Sequence, residues 1–263
     1  MTSFSQHSVA ALTAEDSEFR TVSGAGGSEV MENPQLGYTL PIRPGGRAPK
    51  TGIILCKVLD LLPVAGKRVL DIGTGETALI ANHAAALAAA VIVGLEPEPS
   101  AAMWARKVVA HNCFSRVTIL ETAVGEYSPD QVFDLIVSNP PQMPAPVQRS
   151  VHDDSGVDGK DCFREIIKLA TGNLQPGGLL VVNAFEFLGV EDSYNSDPSL
   201  FEILRQGSFE PTVVRRSVKE AAPGGWTARS IGYIREIYPK YVFATNDNGN
   251  YQFDIVSIVA EKQ

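Results

Sequence analysis

Two stretches of the 263-residue chain combine residue types that do chemistry: a glycine turn flanked by carboxylates, VLDIGTGETALIA, and a strand that ends in Asn139-Pro140-Pro141-Gln142. In the first, Gly73 and Gly75 stand where a buried strand passes into a helix, and Glu96 follows 23 residues after Gly73, at the end of the next strand. Ligands of open α/β sheets bind beyond the carboxyl ends of the strands, at such a turn. Glycine there lets the backbone come close to the ligand and adopt positive φ. An acid at the position of Glu96 suits the two hydroxyls of a ribose. The expected ligand is therefore a nucleotide-like cofactor.

Two cofactors compete for this turn. Gly73-Thr74-Gly75-Glu76-Thr77-Ala78 fits the dinucleotide pattern G-x-G-x-x-G/A, which alone is a weak signal. Asp71, two residues before the first glycine, separates the candidates. The pyrophosphate of NAD is anionic and sits at the helix N-terminus, where a carboxylate repels it. S-adenosylmethionine carries an ammonium and a sulfonium, which a turn lined by Asp71 and Glu76 favours.

The second stretch, FDLIVSNPPQMP, begins as a buried strand with Phe133, Leu135, Ile136 and Val137. It stops on two prolines, which fix φ near about −65° and donate no backbone hydrogen bond. The residue before each proline is pushed toward extended conformations. A core strand thus ends in a stiffened backbone with an amide side chain at its mouth.

The elements that must position these groups alternate. Apolar spacing predicts helices at 51–63, 76–89, 99–112, 161–174 and 198–209, the last capped near Ser199, and strands at 68–73, 90–96, 117–121, 133–139, 178–187, 211–218 and 251–262. Alternation of this kind argues a doubly wound, mostly parallel α/β sheet of seven strands. The last two strands lack an evident crossover helix, so they are expected to form an antiparallel edge hairpin, with 219–250 an excursion carrying a second hairpin. Residues 1–45 read as an N-terminal arm, flexible or lid-like, with a short helix at 13–20, a hinge at 23–28 and a hairpin or ordered loop over 31–50; residues 46–263 form the main domain.

Composition narrows the partners. The net charge is −8 and the basic residues are scattered, as at Lys168 and Arg215-Arg216, so nucleic acid is not the expected partner. Cys56, Cys113 and Cys162 are few, distant and odd in number, which suggests neither a disulfide framework nor a zinc site and suits a reducing cytoplasmic compartment. His7, His83, His111 and His152 lack ligand spacing, and no metal is expected. The first 20 residues do not read as a signal peptide, and the apolar run at 84–95 is too short to span a membrane.

VLDIGTG, GLEPEPSAAMWARKVVAHN and FDLIVSNPPQ together resemble the first, second and fourth motifs of class I S-adenosylmethionine-dependent methyltransferases. Asn139-Pro140-Pro141-Gln142 is similar to the Asn-Pro-Pro-Tyr tetrad of the amino-methyltransferases, which modify bases or the glutamine of translation release factors. PIRPGGRAPKTG and DDSGVDGKDCFREIIKLA resemble the entry segment and acidic loop of the glutamine enzymes; the likeness spans about 40–260. It implies that Asp71, Gly73, Thr74 and Gly75 hold the methionine end of the cofactor, Glu96 and Pro97 the ribose side, and Thr51 the cofactor carboxylate. It also implies that Asn139 and the Pro140 carbonyl grip the target nitrogen, Asn139 facing the cofactor as well. Planar nitrogens are poor nucleophiles, and two fixed acceptors on their N–H groups would turn and enrich the lone pair.

Two departures shape the expected substrate. Thr77 stands where a third glycine is usual, and Gln142 replaces the aromatic residue that would stack on a flipped base. Asp153, Asp158, Glu186 and Glu191, with Gln142, are candidate contacts to a cationic substrate, since a guanidinium pairs with carboxylates in bidentate fashion. Such acids are otherwise solvated loop or helix-capping residues. The leading expectation is N-methylation of a guanidine or amide in a small amino-acid-like molecule such as arginine. The alternatives are a protein glutamine, an RNA base, an NAD-dependent oxidoreductase and a cofactor-binding module without transfer.

Overall fold

The computed structural model describes residues 19–24, 29–46, 48–147, 150 and 152–263. The chain opens with a three-stranded antiparallel sheet of β1 (Arg20–Ser23), β2 (Glu29–Asn33) and β3 (Tyr38–Pro41). The hairpin foreseen within 31–50 is β2–β3. The short helix and hinge read at 13–20 and 23–28 fall largely outside the described residues, and Arg20 already belongs to a strand.

There follow α1 (Lys50–Leu59), β4 (Arg68–Ile72), α2 (Leu79–Ala86), β5 (Val91–Leu95), α3 (Pro99–His111), β6 (Val117–Leu120), β7 (Phe133–Ser138), α4 (Asp161–Asn173) and β8 (Leu174–Phe185). The chain continues through α5 (Leu200–Gln206), β9 (Phe209–Glu220), α6 (Trp226–Ile237), β10 (Ala244–Thr245) and β11 (Tyr251–Lys262). The main sheet runs β6-β5-β4-β7-β8-β11, with β9 and the two-residue β10 both on β11. Its central pairs are parallel, and β8–β11 and β11–β9 are antiparallel. The expected doubly wound architecture with an antiparallel edge is therefore present, extended by β10.

Strand alternation sends side chains to two faces. Val69, Leu135, Val137, Val181 and Val259 pack with α1, α2 and α3 and with Tyr38 and Leu40 of β3. Leu70, Ile72, Ile136, Leu180 and Val182 pack with Phe163 and Ile166 of α4 and with α5 and α6. Burying one such aliphatic side chain stabilises the fold by roughly 1.5–3 kcal/mol. Both faces being covered explains why the central strands read as continuous apolar runs.

Register then lines up the chemistry. Ile72 pairs with Leu95 on one side and Ser138 on the other, and Ser138 pairs with Val182. The next residues outward are Gly73, Glu96, Asn139 and Asn183, one from each of four adjacent parallel strands. Asn183 in turn pairs with Ser257 of β11. Strand spacing of about 4.8 Å puts the glycine turn and Asn139 side by side at the carboxyl edge.

Two elements differ from expectation. Helix α2 begins at Leu79 rather than 76, because Gly73, Gly75 and Ala78 all adopt positive φ (74°, 67° and 44°) and hold the chain in turns. The excursion 219–250 carries helix α6, and its expected hairpin is reduced to β10 against the start of β11. Ser230, Ile231 and Ile234 are the buried face of α6; the Pro223-Gly224-Gly225 turn before it masks its short period. The cap read at Ser199 is a full capping box, with Ser199 Oγ accepting from Glu202 N–H at 3.2 Å and Glu202 Oε2 accepting from Ser199 N–H at 2.7 Å.

Candidate active site

The Asn139 side chain is held by two neighbours, Thr51 from α1 and Asn183 from the row just described. Its Nδ2 donates to Thr51 Oγ1 at 3.0 Å, where α1 begins, and its Oδ1 accepts from Asn183 Nδ2 at 3.3 Å. The orientation is fixed by logic as well as distance. The Thr51 carbonyl can only accept, and it takes Asn183 Nδ2 at 3.0 Å, so the Asn139 atom sharing that donor is its oxygen. Ser257 closes the chain by donating to Asn183 Oδ1 at 2.8 Å from a fully buried position. The amide oxygen of Asn139 thus keeps a free lone pair in a set direction, and the Thr51 hydroxyl keeps its own proton to donate.

The Pro140 carbonyl is the second acceptor. Gln142 is 4% exposed, its Oε1 accepting from Phe185 N–H at 2.6 Å and its Nε2 donating to the Pro140 carbonyl at 3.4 Å. Gln142 therefore clamps the tetrad to β8 and offers no face for stacking. Beside it opens a cavity of about 310 Å³, lined by Thr51, Asn139, Pro140 and Gln142 from the row and tetrad, by exposed His152 and Asp153, and by Phe185, Lys219, Glu220 and Trp226.

The cofactor candidates gather at the adjoining turns. Asp71 is fully buried; its Oδ2 accepts from Thr74 Oγ1 at 2.5 Å and Ala81 N–H at 3.1 Å, and its Oδ1 has no hydrogen-bond partner among the described residues. Burial pushes the Asp71 carboxyl up to about 7, with Glu96 adding to the rise and the two hydrogen bonds opposing it. Glu96, buried at the tip of β5, accepts from Gly75 N–H and Glu98 N–H, both at 3.0 Å, and burial raises its carboxyl as well. Thr74 points inward to Asp71, and Pro97 is exposed between Glu96 and Glu98, which caps α3. A Cβ on Gly94 would stand 2.8 Å from Ile119 and 3.1 Å from Thr74 Oγ1, so glycine is what lets this turn press onto β5. No atom lies within 4 Å of a Cβ built at Gly73 or Gly75, which leaves their outer side open. An unpartnered buried carboxylate oxygen beside an open backbone fits a ligand that brings a cation close to the chain.

Residues that the sequence reading did not single out complete the mouth. Arg43 pairs with Glu76 at 2.9 Å and donates to Ser100 Oγ at 3.0 Å, so it spans the β4 and β5 turns. Glu76 is thereby matched by a cation of the chain. Asn183, Ser257 and Lys219 carry no local motif; only strand register brings them to the site.

The structure divides the substrate candidates. Asp153 and Gln142 join Asn139 at the cavity, whereas Asp158, Glu186 and Glu191 do not line it. Arg216 is held by Glu186 at 2.5 Å and by Glu191, and Tyr194 donates to Glu186 at 3.1 Å. Asp158 pairs with Arg164 and accepts from Lys160 N–H at 3.0 Å. These carboxylates already hold guanidinium groups, but the groups are the chain's own.

Comparison with known proteins identifies the family and the fold. The model of the family described as methyltransferase small domain matches residues 50–207. A release factor glutamine methyltransferase from Geobacter sulfurreducens is 38% identical over 144 residues, 50% of each chain. The corresponding protein of Gloeobacter violaceus is 33% identical over 131 residues, 45% of this chain and 46% of that one. A tRNA (adenine-N6)-methyltransferase from Pedobacter heparinus is 39% identical over 83 residues, 30% of this chain and 36% of its own. The chain spans about half the length of the curated relatives first matched. Among solved structures, a T. thermophilus 16S rRNA N2 methyltransferase in complex with AdoMet and guanosine superposes with a TM-score of 0.53 at 17% identity, covering 93% of this chain and 51% of that one.

Proposed function

Because the chain belongs to the methyltransferase small domain family and has the class I α/β fold, we propose that it methylates the side-chain amide nitrogen of a glutamine in a peptide-chain release factor. Its cofactor is S-adenosylmethionine. Asp71 and the open backbone at Gly73 and Gly75 would hold the methionine end, the Thr51 hydroxyl its carboxylate and Glu96 the ribose. When bound, that cofactor would supply a sulfonium methyl group to which a nitrogen lone pair bonds as the carbon–sulfur bond breaks, the bonding pair staying on sulfur and the surplus proton on nitrogen passing to water.

The observation that carries the reading is the pair of fixed acceptors one strand from the glycine turn, Asn139 Oδ1 and the Pro140 carbonyl. A primary amide presents two N–H groups in one plane, and two acceptors can take both. As positive charge builds on the nitrogen, the same hydrogen bonds strengthen, so the chain stabilises the transition state more than the bound amide. The row Thr51–Asn139–Asn183–Ser257 and the Gln142 clamp hold this geometry ready before the acceptor arrives.

The arginine expectation gives way to the glutamine one. Glu186 and Glu191 are paired with Arg216 and Asp158 with Arg164, all outside the cavity lining, and the cavity holds the cation of Lys219. A guanidinium there would stand against the Lys219 ammonium, and of the two cavity carboxylates, Asp153 and Glu220, the second already accepts from Asn246 at 2.8 Å and Asn250 at 2.6 Å. An RNA base is the second reading, favoured by the Pedobacter relative; the net charge of −8 and the stacking face missing at Gln142 oppose it.

The test supplies methyl-labelled S-adenosylmethionine with three acceptors in parallel: unmethylated release factor, free arginine and tRNA. Label is expected in the release factor. Label confined to arginine or tRNA would overturn the reading.

A further inference from the structure

The cavity is built from two parts of the chain with different standing. Thr51, Asn139, Pro140 and Gln142 fall inside the region 50–207 that the family model matches, whereas Lys219 and Trp226 lie beyond it. The groups proposed to grip the reacting nitrogen thus belong to the shared part, and the rest of the lining comes in part from β9 and the start of α6.

In that part of the lining Lys219 is half-buried, with its ammonium 4.9 Å from the centre of the Phe185 ring and 5.9 Å from that of Phe253. Among the described residues it makes no hydrogen bond or ion pair. Burial lowers its pKa, and the charge of Asp153 across the cavity opposes the shift. Phe185 also ties the two sides together, since its N–H is the donor that fixes Gln142 and, through it, the Pro140 carbonyl. An ammonium kept among rings with unused donors, in a cavity that also holds Asn139, the Pro140 carbonyl and the carboxylates of Asp153 and Glu220, is placed for an oxygen of the substrate.

We propose that Lys219 is the specificity-determining residue that donates to the carbonyl oxygen of the acceptor amide, while Asn139 and Pro140 take its N–H groups. This rests on the amide reading above and deepens it. A primary amide offers a carbonyl oxygen on the same plane as its nitrogen, so three fixed groups would read all its polar atoms. A guanidinium has no oxygen and carries the wrong charge. Discrimination of this sort is strong because the wrong group leaves a buried donor unpaired.

The experiment measures kcat and KM for unmethylated release factor with wild type, Lys219→Met and Lys219→Arg. Calorimetric S-adenosylmethionine affinity and thermal melting are recorded for each protein. Loss of a hydrogen bond from a charged donor should raise KM about 10- to 100-fold in Lys219→Met, with cofactor affinity and melting preserved. Because the ground-state amide already uses the bond, kcat should stay within about threefold. Lys219→Arg keeps charge and donors and should recover most of the KM. An unchanged KM in Lys219→Met, or equal losses in both variants, would overturn the role and leave Lys219 as packing. No transfer to the release factor by the wild type would instead bring down the amide reading itself, and this inference with it.

Discussion

The two ends of the site are stabilised in opposite ways. At the proposed cofactor end, buried carboxylates stand with their demands partly unmet: Asp71 Oδ1 lacks a hydrogen-bond partner among the described residues, and both Asp71 and Glu96 are raised by burial. At the proposed acceptor end, Asn139 is held through a relay of hydrogen bonds that runs to Ser257, two strands away. An unmet carboxylate is a preparation for binding, since a cation relieves its desolvation. A satisfied amide is a preparation for geometry, since its remaining lone pair points one way. One end is poised to gain energy from its ligand and the other to hold an angle.

That contrast can be broken at four points. Asn139→Ala should give the largest effect, a fall of about 100- to 1,000-fold in kcat at unchanged cofactor affinity, seen by pairing single-turnover transfer with calorimetry. Glu96→Ala removes the carboxylate proposed to take two ribose hydroxyls, and cofactor affinity should drop about 50-fold while the grip on the acceptor persists. The third effect is on pH. With Asp71 raised to about 7, its carboxylate is charged above that pH and takes up a proton below it. A cationic cofactor needs the charged form, so affinity should be full above pH 7 and fall toward about tenfold per unit below it, with a flatter profile in Asp71→Asn. The smallest effect is Ser257→Ala, which leaves Asn183 Oδ1 buried without its donor and should cost about 1–2 kcal/mol in denaturant unfolding, with a few-fold loss of kcat as Asn139 loosens.

Legibility in the sequence followed the range of the interactions. VLDIGTG, the acid at Glu96 and FDLIVSNPPQ were readable because each packs its chemistry into one strand and the turn that follows. The mostly parallel sheet followed from alternation of elements, and the cap near Ser199 from the residue type at the helix start, whereas the strand order and the reciprocal bond of Glu202 came from the structure. The start of α2 was misplaced because the sequence does not announce that Ala78 adopts a left-handed conformation. Helix α6 was hidden by the glycines before it. The acids were readable as acids but not as occupied: nothing local says that Glu186 and Glu191 meet Arg216, which lies 25 to 30 positions further on. Asn183, Ser257 and Lys219 reach the site only by pairing between distant strands, which periodicity cannot supply.

The most direct measurement incubates unmethylated release factor with the wild-type chain and S-adenosylmethionine and locates the added methyl group by fragmentation mass spectrometry. Two acceptors fixed on a planar nitrogen predict one methyl on the side-chain nitrogen of a single glutamine, absent with Asn139→Ala. A methyl group on an arginine or a carboxylate, or an equal yield from Asn139→Ala, would contradict the account.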